Sequence, residues 1–380
     1  MIQVPVDDIR WAEQVREKLK NKLSAQAGRT GAQVPYFAAD GRYTDKMADN
    51  VFWWTNGFWP GMLWLLYHDT GENPYRETAQ KIEDRLDAAL SGFEGLHHDV
   101  GFMWTLTSRM NFQLTGNNFS RVRALHAANI LAGRYNPRGH FIRSWNKHYT
   151  GWVIIDCMMN LPLLYWAGEQ LNDPRFRYIA LEHTETALKY LVREDGSCNH
   201  IAVLNPDNGD LLETPAGQGY APGSSWSRGQ AWALYGFALA LRYTSEDRFG
   251  NAVRRIARYV TDELSRRNFI PPVDYRQPSP SEEGGEPVRI DTSAGMITSA
   301  GLLCLAFQTG ENSYYETAIK ILTTLEGAYC DWDKGRDSIV QRGSAQYHDK
   351  PGENDVPLIY ADYFFLEAVH RLLHPEFQVW

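Results

Sequence analysis

Residues 240–260 read ALRYTSEDRFGNAVRRIARYV: an apolar segment, a short polar turn, and a segment with charged and apolar residues at helical spacing. A helix that is apolar on every side must be buried, whereas an amphipathic helix buries only one face. The stretch therefore predicts a hairpin made of an inner and an outer helix. Four further stretches repeat this pattern: WLLYHDTGENPYRETAQKIEDRL (64–86), MNFQLTGNNFSRVRALHAANIL (110–131), LYWAGEQLNDPRFRYIALEHTETAL (164–188) and LAFQTGENSYYETAIKILTTL (305–325).

Each predicted hairpin turns at a residue that tolerates left-handed or helix-ending backbone geometry. These turn residues are Gly71, Gly116, Asn172, Asp247 and Gly310. An aromatic residue follows each turn, where it can pack as a hydrophobic staple on the next helix. These aromatic residues are Tyr75, Phe119, Phe176, Phe249 and Tyr314. The shared spacing predicts one repeated architecture.

The two ends of the chain supply a sixth helix pair. The first predicted helix, around 7–23, is amphipathic without an inner partner, and the last, 360–373, is apolar without an outer partner. Pairing them closes a ring, so the sequence predicts an all-α (α/α)6 barrel of six inner and six outer helices. No linker or charge block divides the chain, which predicts a single domain over 1–380. A proline- and acid-rich stretch, 271–287, is predicted to be a surface excursion.

Charge and hydropathy exclude several classes of partner. The formal net charge is −8 and basic residues are not clustered, which argues against nucleic acid as a partner. No apolar run reaches membrane-spanning length, and MIQVPVDDIRWAEQ lacks the features of a signal peptide, so we expect a cytoplasmic protein without membrane association. The scattered cysteines are expected to be reduced. The sequence leaves a monomer and a homodimer open.

Tryptophans stand before four of the predicted inner helices, and should therefore gather at one end of the ring. They are Trp53, Trp54, Trp59, Trp104, Trp145, Trp152, Trp226 and Trp232. A cavity walled by aromatic rings can stack on the apolar faces of sugars while polar groups bind the hydroxyls, which favours a carbohydrate site. The alternative is that these rings only pack the mouth of the barrel.

Two aspartates enter the same end from apolar or aromatic surroundings, Asp99 in LHHDVGFMW and Asp156 in GWVIIDCMMNLPLLYW. An apolar setting disfavours the ionised form of a carboxyl, so Asp156 is suited to hold a proton and donate it. The alternative for both aspartates is a helix N-cap.

The His97–His98–Asp99 sequence invites a metal interpretation, but adjacent residues cannot all point at one ion without an irregular loop, and no other His/Cys cluster completes a tetrahedral set. We therefore predict no metal and no cofactor. GxSxG, Walker and strand-to-helix GxGxxG motifs are also missing from the sequence, which argues against serine-nucleophile and nucleotide-binding enzymes.

A third segment, TPAGQGYAPGSSWSRGQAW (214–232), combines amides, an arginine and two tryptophans. Gln218, Trp226, Arg228, Gln230 and Trp232 could supply hydrogen bonds, stacking and a partner for a carboxylate. The alternative is a rigid glycine-rich connection with Arg228 paired to a structural acid. If the substrate is an acid, Arg228 and Arg342 are the candidate cations, while His200 is as often structural as functional in such a setting.

Five motifs, taken together, resemble the unsaturated glucuronyl hydrolases of glycoside hydrolase family 88. They are WWTNGFWPGMLWLLY, HHDVGFMW, IIDCMMNLPLLYWAGE, SSWSRGQAWALYGFALALRYT and ADYFFLEAVHRLL, and they span nearly the whole chain. The resemblance implies the (α/α)6 barrel and an enzyme that hydrates the C4–C5 double bond of a terminal 4-deoxy-hex-4-enuronic acid. Such sugars end the unsaturated oligosaccharides that polysaccharide lyases produce.

The resemblance also implies roles for individual residues. Asp156 corresponds to the acid and base of the hydration, and Asp99 to an aspartate that positions the uronate ring. Trp54 and Trp145 fall on wall positions, and we add His98, beside Asp99, to the predicted substrate-binding residues. The implied pocket positions are His200, Gln218, Trp226, Arg228 and Trp232.

The chain departs from the family pattern at three places that bear on the substrate. Gly217 stands where some members carry His or Arg, 220–222 replaces a more polar stretch, and 341–352 does not align cleanly. Glycosaminoglycan fragments, sulfated or not, and gellan fragments therefore stay open as substrates. Three alternatives also remain: an unsaturated rhamnogalacturonyl hydrolase, an inverting glycosidase using Asp99 and Asp156, and a sugar-binding protein without activity.

Overall fold

The structure is a computed structural model that describes residues 2–278, 288–349 and 352–380. Inner and outer helices alternate along the described chain, as the sequence predicts. The outer helices are α1 (Val6–Thr30), α4 (Asn73–Ser91), α7 (Asn118–Ala132), α9 (Pro174–Tyr190), α11 (Asp247–Ser265) and α13 (Asn312–Tyr329). A short helix, α2 (Lys46–Asp49), precedes the first inner helix.

The inner helices form the ring around the barrel axis. They are α3 (Phe58–Thr70), α5 (Val100–Trp104) with α6 (Met110–Thr115), α8 (Leu161–Leu171), α10 (Ser227–Thr244), α12 (Thr292–Thr309) and α14 (Ile359–Leu373). A π-helical segment, Thr105–Arg109, joins α5 to α6, so these two helices act as one inner element. In α12 every residue from Thr292 to Ala306 is buried, which is the environment predicted for an inner helix.

The ring closes between the two ends of the chain. Helix α1 packs on α14, and α14 in turn packs between α3 and α12. The predicted sixth pair is therefore confirmed. One cluster of buried apolar side chains extends from Ala12 to Trp380. A single domain over 1–380 stays a prediction.

Four of the five hairpin turns use the predicted residue. Gly71, Gly116, Asn172 and Gly310 all have left-handed backbone at the end of an inner helix. At the fourth turn the prediction of Asp247 is wrong, because Ser245 has the left-handed conformation, with φ of 56°, and Asp247 already begins α11.

The aromatic staples are less uniform than predicted. Tyr75, Phe176 and Phe249 are buried, whereas the side chain of Phe119 is 81% exposed. In its place, the side chain of Asn117 caps α7 by accepting hydrogen bonds from the backbone N–H groups of Phe119 and Ser120. The staple prediction is therefore wrong at Phe119.

Short strands lie in the connections from outer to inner helices. Two hairpins pair β1 (Ala38–Ala39) with β2 (Arg42–Tyr43) and β3 (Tyr135–Asn136) with β4 (Phe141–Ile142). An antiparallel sheet in the order β5-β6-β7 joins β5 (Trp152–Ile154), β6 (Ile201–Leu204) and β7 (Leu211–Glu213). The register pairs Ile154 with Ile201, which aligns the residues that follow β5 with those that precede β6.

Three short 3₁₀ helices, Trp54–Gly57, Phe93–Gly95 and Ile155–Met159, also lie in these connections. The stretch 271–287 is only partly described, since 279–287 lie outside the described residues. Within its described part, residues 271–275 are buried, so the prediction of a surface excursion is wrong there. No described helix is long and apolar enough to cross a membrane.

Candidate active site

A cavity of about 290 Å³ opens at the end of the ring where the inner helices begin. This volume is at the lower end of the range for small-molecule sites. Nine of the ten predicted site residues line the cavity. The cavity therefore brings together parts of the chain that lie near the starts of the first four inner helices. These nine are Trp54, His98, Asp99, Trp145, Asp156, His200, Gln218, Trp226 and Arg228.

Trp232 is the exception, and its predicted contact with the substrate is wrong. Its side chain is fully buried, with ring centroids 5.1 Å from Phe102 and 5.4 Å from Phe364. Because Trp232 lies farther along α10 than Trp226, it points into the aromatic core beneath the cavity instead of into the cavity itself.

The tryptophans are divided between the cavity and the core. Trp53, Trp54, Trp145 and Trp226 line the cavity, whereas Trp59, Trp104 and Trp152 do not. The packing alternative therefore holds for Trp59, Trp104 and Trp152, and a carbohydrate site at the other four rings stays a prediction. The indole N–H of Trp59 donates to the carbonyl of Gly31 at 3.0 Å, and Trp152 supports the cavity wall by stacking on Trp145 with centroids 5.3 Å apart.

Asp156 lies in the 3₁₀ helix that links β5 to α8, so it reaches the cavity before the inner helix begins. Its side chain is 17% exposed, and its Oδ2 atom lies 3.5 Å from Nε2 of His200. The surroundings are therefore less apolar than the sequence predicts. The carboxyl does not cap α8, which begins at Leu161.

The sheet and one hydrogen bond fix the orientation of His200. The backbone N–H of Ile155 donates to the carbonyl of His200 at 3.1 Å, which continues the β5–β6 pairing. On the ring, Nδ1 accepts a hydrogen bond from the backbone N–H of Gln218 at 3.0 Å. An imidazole that accepts at Nδ1 carries its proton on Nε2, so this N–H of His200 points toward the carboxyl of Asp156 without a hydrogen bond between them.

Gly217 makes this contact possible. Its φ is +60°, and a Cβ atom at this position would lie 2.0 Å from Nδ1 of His200. Any larger residue must displace either the histidine ring or the backbone that donates to it. The departure from the family pattern at Gly217 is therefore accompanied by close packing against His200.

Asp99 occupies the N-cap position of α5 but makes no capping bond with its side chain. Its Oδ2 atom lies 3.3 Å from Nδ1 of His97 and 3.5 Å from Nε2 of His98. Burial opposes ionisation of Asp99, but His98, His97 and the amide of Asn160 outweigh it and hold the pKa below its usual value. Burial lowers the pKa of His98 to about 4.

Asn160 connects the two aspartates and was not predicted from the sequence. Its side-chain amide donates to Oδ1 of Asp99 at 3.1 Å and to the carbonyl of Asp156 at 3.2 Å. Its Oδ1 atom accepts from the backbone N–H of Phe102 at 2.8 Å. An asparagine at the start of an inner helix is too common a pattern to indicate this role from sequence.

One nitrogen or oxygen atom from each of His97, His98 and Asp99 lies within 4.8 Å of the others. The sequence argument allowed these neighbours to converge only if the loop were irregular, and the segment before α5 is irregular and places all three side chains at the cavity. The set could hold an ion, and the prediction that the chemistry needs no metal stays a prediction.

Arg228 is both a cavity residue and a structural one. Its Nη1 atom lies 2.7 Å from Oδ2 of Asp291 and 2.6 Å from the carbonyl of Ser344, and Nη2 contacts the carbonyl of Ala345. The alternative of a structural acid is thus confirmed. The other candidate cation, Arg342, pairs with Asp355 at 2.7 Å and does not line the cavity, so its predicted role is wrong.

Several cavity residues were not among the predicted site residues. Besides His97 and Trp53, they are Tyr36, Ile154, Ala345, Gln346, Glu353 and Tyr360. Tyr360 precedes the ADYFF motif, which is the one sequence signal that could have indicated it. Ala345 and Gln346 belong to the segment 341–352, which does not align cleanly with the family, and Glu353 follows it directly. No pattern indicated Tyr36.

Some polar atoms of the cavity are buried and have no hydrogen-bond partner within the described parts of the chain. They are Oδ2 of Asp156, Nε2 of His200, Nε1 of Trp226 and the hydroxyl of Tyr360. Buried polar groups in proteins are nearly always satisfied. A ligand with hydroxyl and carboxylate groups would supply the missing partners.

Comparison with known proteins identifies the family. The model of Glycosyl Hydrolase Family 88 matches residues 32–264. The chain belongs to glycosyl hydrolase family 88. Two curated family 88 relatives are an unsaturated glucuronyl hydrolase of Bacillus sp. (strain GL1), 36% identical over 90% of this chain and 91% of its own, and an unsaturated chondroitin disaccharide hydrolase of Streptococcus pyogenes serotype M1, 32% identical over 84% and 80%.

Solved structures agree with this family 88 assignment. The crystal structure of the unsaturated glucuronyl hydrolase from Bacillus sp. GL1 superposes with a TM-score of 0.88 at 33% identity and covers 95% of this chain and 96% of its own. An unsaturated glucuronyl hydrolase specific for heparin gives a TM-score of 0.84 at 28% identity, over 97% and 98%. The protein is a glycoside hydrolase with the predicted (α/α)6 barrel.

Proposed function

We propose that the protein is an unsaturated glucuronyl hydrolase. It hydrates the C4–C5 double bond of the 4-deoxy-hex-4-enuronic acid at the non-reducing end of lyase-generated oligosaccharides, and so releases this uronate, in hydrated and ring-opened form, from the remaining sugar. The observation that supports this most directly is the carboxyl of Asp156, which faces a tryptophan-walled cavity 3.5 Å from Nε2 of His200.

The proposed reaction begins with the enol ether formed by the double bond and the ring oxygen. Asp156 donates its proton to C4, and a water molecule adds its oxygen to C5 while its proton returns to Asp156. The resulting hemiketal opens by breaking the bond between C5 and the ring oxygen. The hemiacetal left at C1 then expels the remaining sugar, so one water molecule is consumed and no covalent enzyme intermediate is formed.

The neighbouring residues suit this sequence of proton transfers. The Nε2–H of His200 points toward Asp156, and a small approach from 3.5 Å would let it stabilise the carboxylate left after proton donation without competing for the same proton. Asp99, whose pKa lies below its usual value, is an ionised acceptor for ring hydroxyls. The guanidinium of Arg228 lines the cavity 4.5 Å from the ring of Trp226, where it can face the uronate carboxylate although Asp291 balances its charge.

The substrate class follows from the relatives' activities. They are named for unsaturated glucuronyl and chondroitin disaccharide hydrolysis, so we propose unsaturated glycosaminoglycan disaccharides or similar lyase products as substrates. A cytoplasmic location and a monomer or homodimer remain part of the proposal, to be checked by cell fractionation and analytical ultracentrifugation.

The test is a panel of unsaturated disaccharides that differ in linkage and sulfation. Hydration removes the conjugated double bond, so we expect the ultraviolet absorbance of the unsaturated uronate to fall on adding the enzyme to lyase-digested chondroitin or hyaluronan. Matched saturated disaccharides serve as controls and should not be cleaved. Unchanged absorbance with every member of the panel would reject the proposal.

One observation favours a second candidate. The carboxyl groups of Asp99 and Asp156 line one cavity, and an inverting glycosidase uses two such groups, about 6.5–9.5 Å apart, as base and acid. The same panel separates the two functions. Cleavage of the saturated disaccharides, with inversion at the anomeric carbon, would support the inverting mechanism.

A further inference from the structure

Three histidines meet at the end of the ring opposite the cavity. His68 lies in the last turn of α3, His370 lies in the last turn of α14, and His374 follows α14 directly. The cavity residues precede or begin the inner helices, whereas these histidines stand where two of them end. At a rise of about 1.5 Å per residue, His68 is about 15 Å along the axis of α3 from its first residue.

The ring nitrogens converge. Nδ1 of His68 lies 2.9 Å from Nε2 of His370, and one nitrogen from each of the three histidines lies within 4.8 Å of the others. Tetrahedral zinc, with Zn–N bonds of about 2.0–2.1 Å, needs ligand nitrogens about 3.3 Å apart. Small rotations of the side chains would therefore suffice to bring three nitrogens onto one ion.

The sequence spacing explains why the site is pre-formed. Residues four apart on a helix share a face, so His370 and His374 project to the same side of the end of α14. Helix α3 packs beside α14 in the inner ring and supplies the third ligand. Because α3 and α14 hold His68 and His370, and the backbone N–H of His374 donates to the carbonyl of His370 at 2.8 Å, little conformational freedom is lost when an ion binds.

The geometry of the cluster is accompanied by burial of His68 and His370, which favours the neutral imidazole that binds metals. Burial lowers the pKa of His68, and burial together with His374, His68 and Arg371 lowers that of His370. Oδ1 of Asp69 lies 3.3 Å from Nε2 of His374. A carboxylate that accepts from one ring nitrogen of a histidine orients the ring and leaves the other nitrogen available as a ligand.

One side of the cluster is covered and the other is open. The ring of Phe377 lies 4.1 Å from that of His68 and 5.3 Å from that of His370. The side chain of His374 is 29% exposed, which provides a path from solvent. Three protein nitrogens with one accessible position form a suitable ligand set for zinc and related ions.

We propose that His68, His370 and His374 bind one divalent transition-metal ion such as Zn²⁺, with water in the fourth position. The ion would join the end of α3 to the end of α14, and so reinforce the part of the ring at which the chain ends meet. This site is separate from the cavity and does not take part in the proposed hydration.

The experiment uses the full chain without a polyhistidine tag, stripped of metal with a chelator. Zn²⁺ is titrated by calorimetry, and Co²⁺ is followed by the visible absorption typical of tetrahedral coordination. We expect one strong site in the wild type and at least 100-fold weaker binding in His374→Gln and His68→Gln. Asp69→Asn should bind about 10–100-fold more weakly, as expected for a residue that orients a ligand.

Two control variants separate this site from other histidines. His97→Gln removes a member of the His97–His98–Asp99 group at the cavity, and His126→Gln removes an exposed histidine of α7. Both should keep the strong site. Excess Zn²⁺ should raise the melting temperature of the wild type but not that of His374→Gln, because only an ion bound to the folded state stabilises it.

The proposal is overturned if the wild type binds no ion, or if His97→Gln loses the strong site while His374→Gln retains it. Circular dichroism and hydrolysis of unsaturated disaccharide show whether His374→Gln is folded, since this residue lies outside the cavity. Loss of ion binding in a folded His374→Gln supports the assignment. Zn²⁺ binding can be measured whether or not the proposed activity is found, so the two proposals fail separately.

Discussion

Asp156 and His200 come from different connections of the barrel, and the pairing of β5 with β6 brings them together. The sequence pointed to Asp156 because a carboxyl among apolar residues is unusual. It gave no comparable signal for the tautomer of His200, which depends on a backbone N–H of Gln218 from a third segment. Contacts between distant segments of this kind cannot be inferred from local patterns.

Replacing Asp156 tests the proposed proton donor. Asp156→Asn should keep the fold and the affinity for the unsaturated disaccharide but lose at least 10³-fold in kcat, within the range expected for removing general acid–base catalysis, about 10²–10⁴-fold. The measurements are initial rates from ultraviolet absorbance and binding by calorimetry. Wild-type rates in this variant would reject Asp156 as the acid.

Gly217 and Gly223 form a matched pair for testing the position of His200. Both have positive φ, 60° and 81°, but an added Cβ contacts His200 only at position 217 and contacts nothing within 4 Å at position 223. Each substitution by Ala should cost about 1–2 kcal/mol of stability through backbone strain. Only Gly217→Ala should lower kcat/KM, by about 100-fold, because the added Cβ displaces the ring of His200 from its position beside Asp156.

Melting temperatures and steady-state rates of the two variants decide this prediction. Equal losses of activity in Gly217→Ala and Gly223→Ala would mean that strain in the loop, and not the position of His200, limits the reaction.

At the scale of elements, the alternation of inner and outer helices was predictable because a buried helix is apolar on every side, whereas an outer helix is apolar on one face only. The small sheets were not predicted, since strands of two to four residues such as β5 are too short to establish an alternating pattern. The different environments of the two tryptophans at the start of α10 were also not predicted. Trp226 and Trp232 stand close together in sequence, but the helix turns one toward the cavity and the other toward the core.

The beginnings of α10 and α12 are joined by the ion pair between Arg228 and Asp291, both fully or almost fully buried. Asp291 also caps α12, since its side chain accepts from the backbone N–H of Ser293 at 3.1 Å. The carbonyls of Ser344 and Ala345 bind the same guanidinium, so the pair fixes part of the cavity wall.

Removing one partner of this pair should be costly. Arg228→Met leaves the carboxylate of Asp291 buried without its cation, which should lower the free energy of unfolding by about 3–5 kcal/mol. Adding Asp291→Asn should recover part of the loss. Arg342→Met is the control, because the Arg342–Asp355 pair is exposed and should contribute about 1 kcal/mol or less. Urea unfolding of the four proteins measures these differences, and equal losses in Arg228→Met and Arg342→Met would contradict the argument.

At the scale of the whole molecule, Asp362 joins segments from both halves of the chain. On α14 its carboxyl accepts from the hydroxyl of Tyr43 at 2.9 Å and from the backbone N–H groups of Ile339 and Val340. Burial raises the pKa of Asp362 from its ordinary 3.8 to about 6, although these hydrogen bonds oppose the shift. The folded protein therefore binds this proton more tightly than the unfolded chain does.

The raised pKa predicts how stability depends on pH. The contribution of the Asp362 proton is fully present below pH 3.8 and is lost as pH rises through about 6. We therefore expect the stability of the wild type, relative to Asp362→Asn, to fall by about 2 kcal/mol between about pH 4.5 and 7.5. Urea unfolding of both proteins at the two pH values measures this. A difference that stays constant, or that rises with pH, would contradict the prediction.

The pairing of α1 with α14 has a consequence for biosynthesis. The first outer helix leaves the ribosome long before its inner partner exists, and five apolar inner helices are made before the sixth can complete the circle. Until translation reaches Leu373, the nascent chain exposes surfaces that the finished barrel hides, and such intermediates are prone to aggregation. The yield of active enzyme in a cell should therefore depend on chaperones that shield the growing polypeptide up to its final helix.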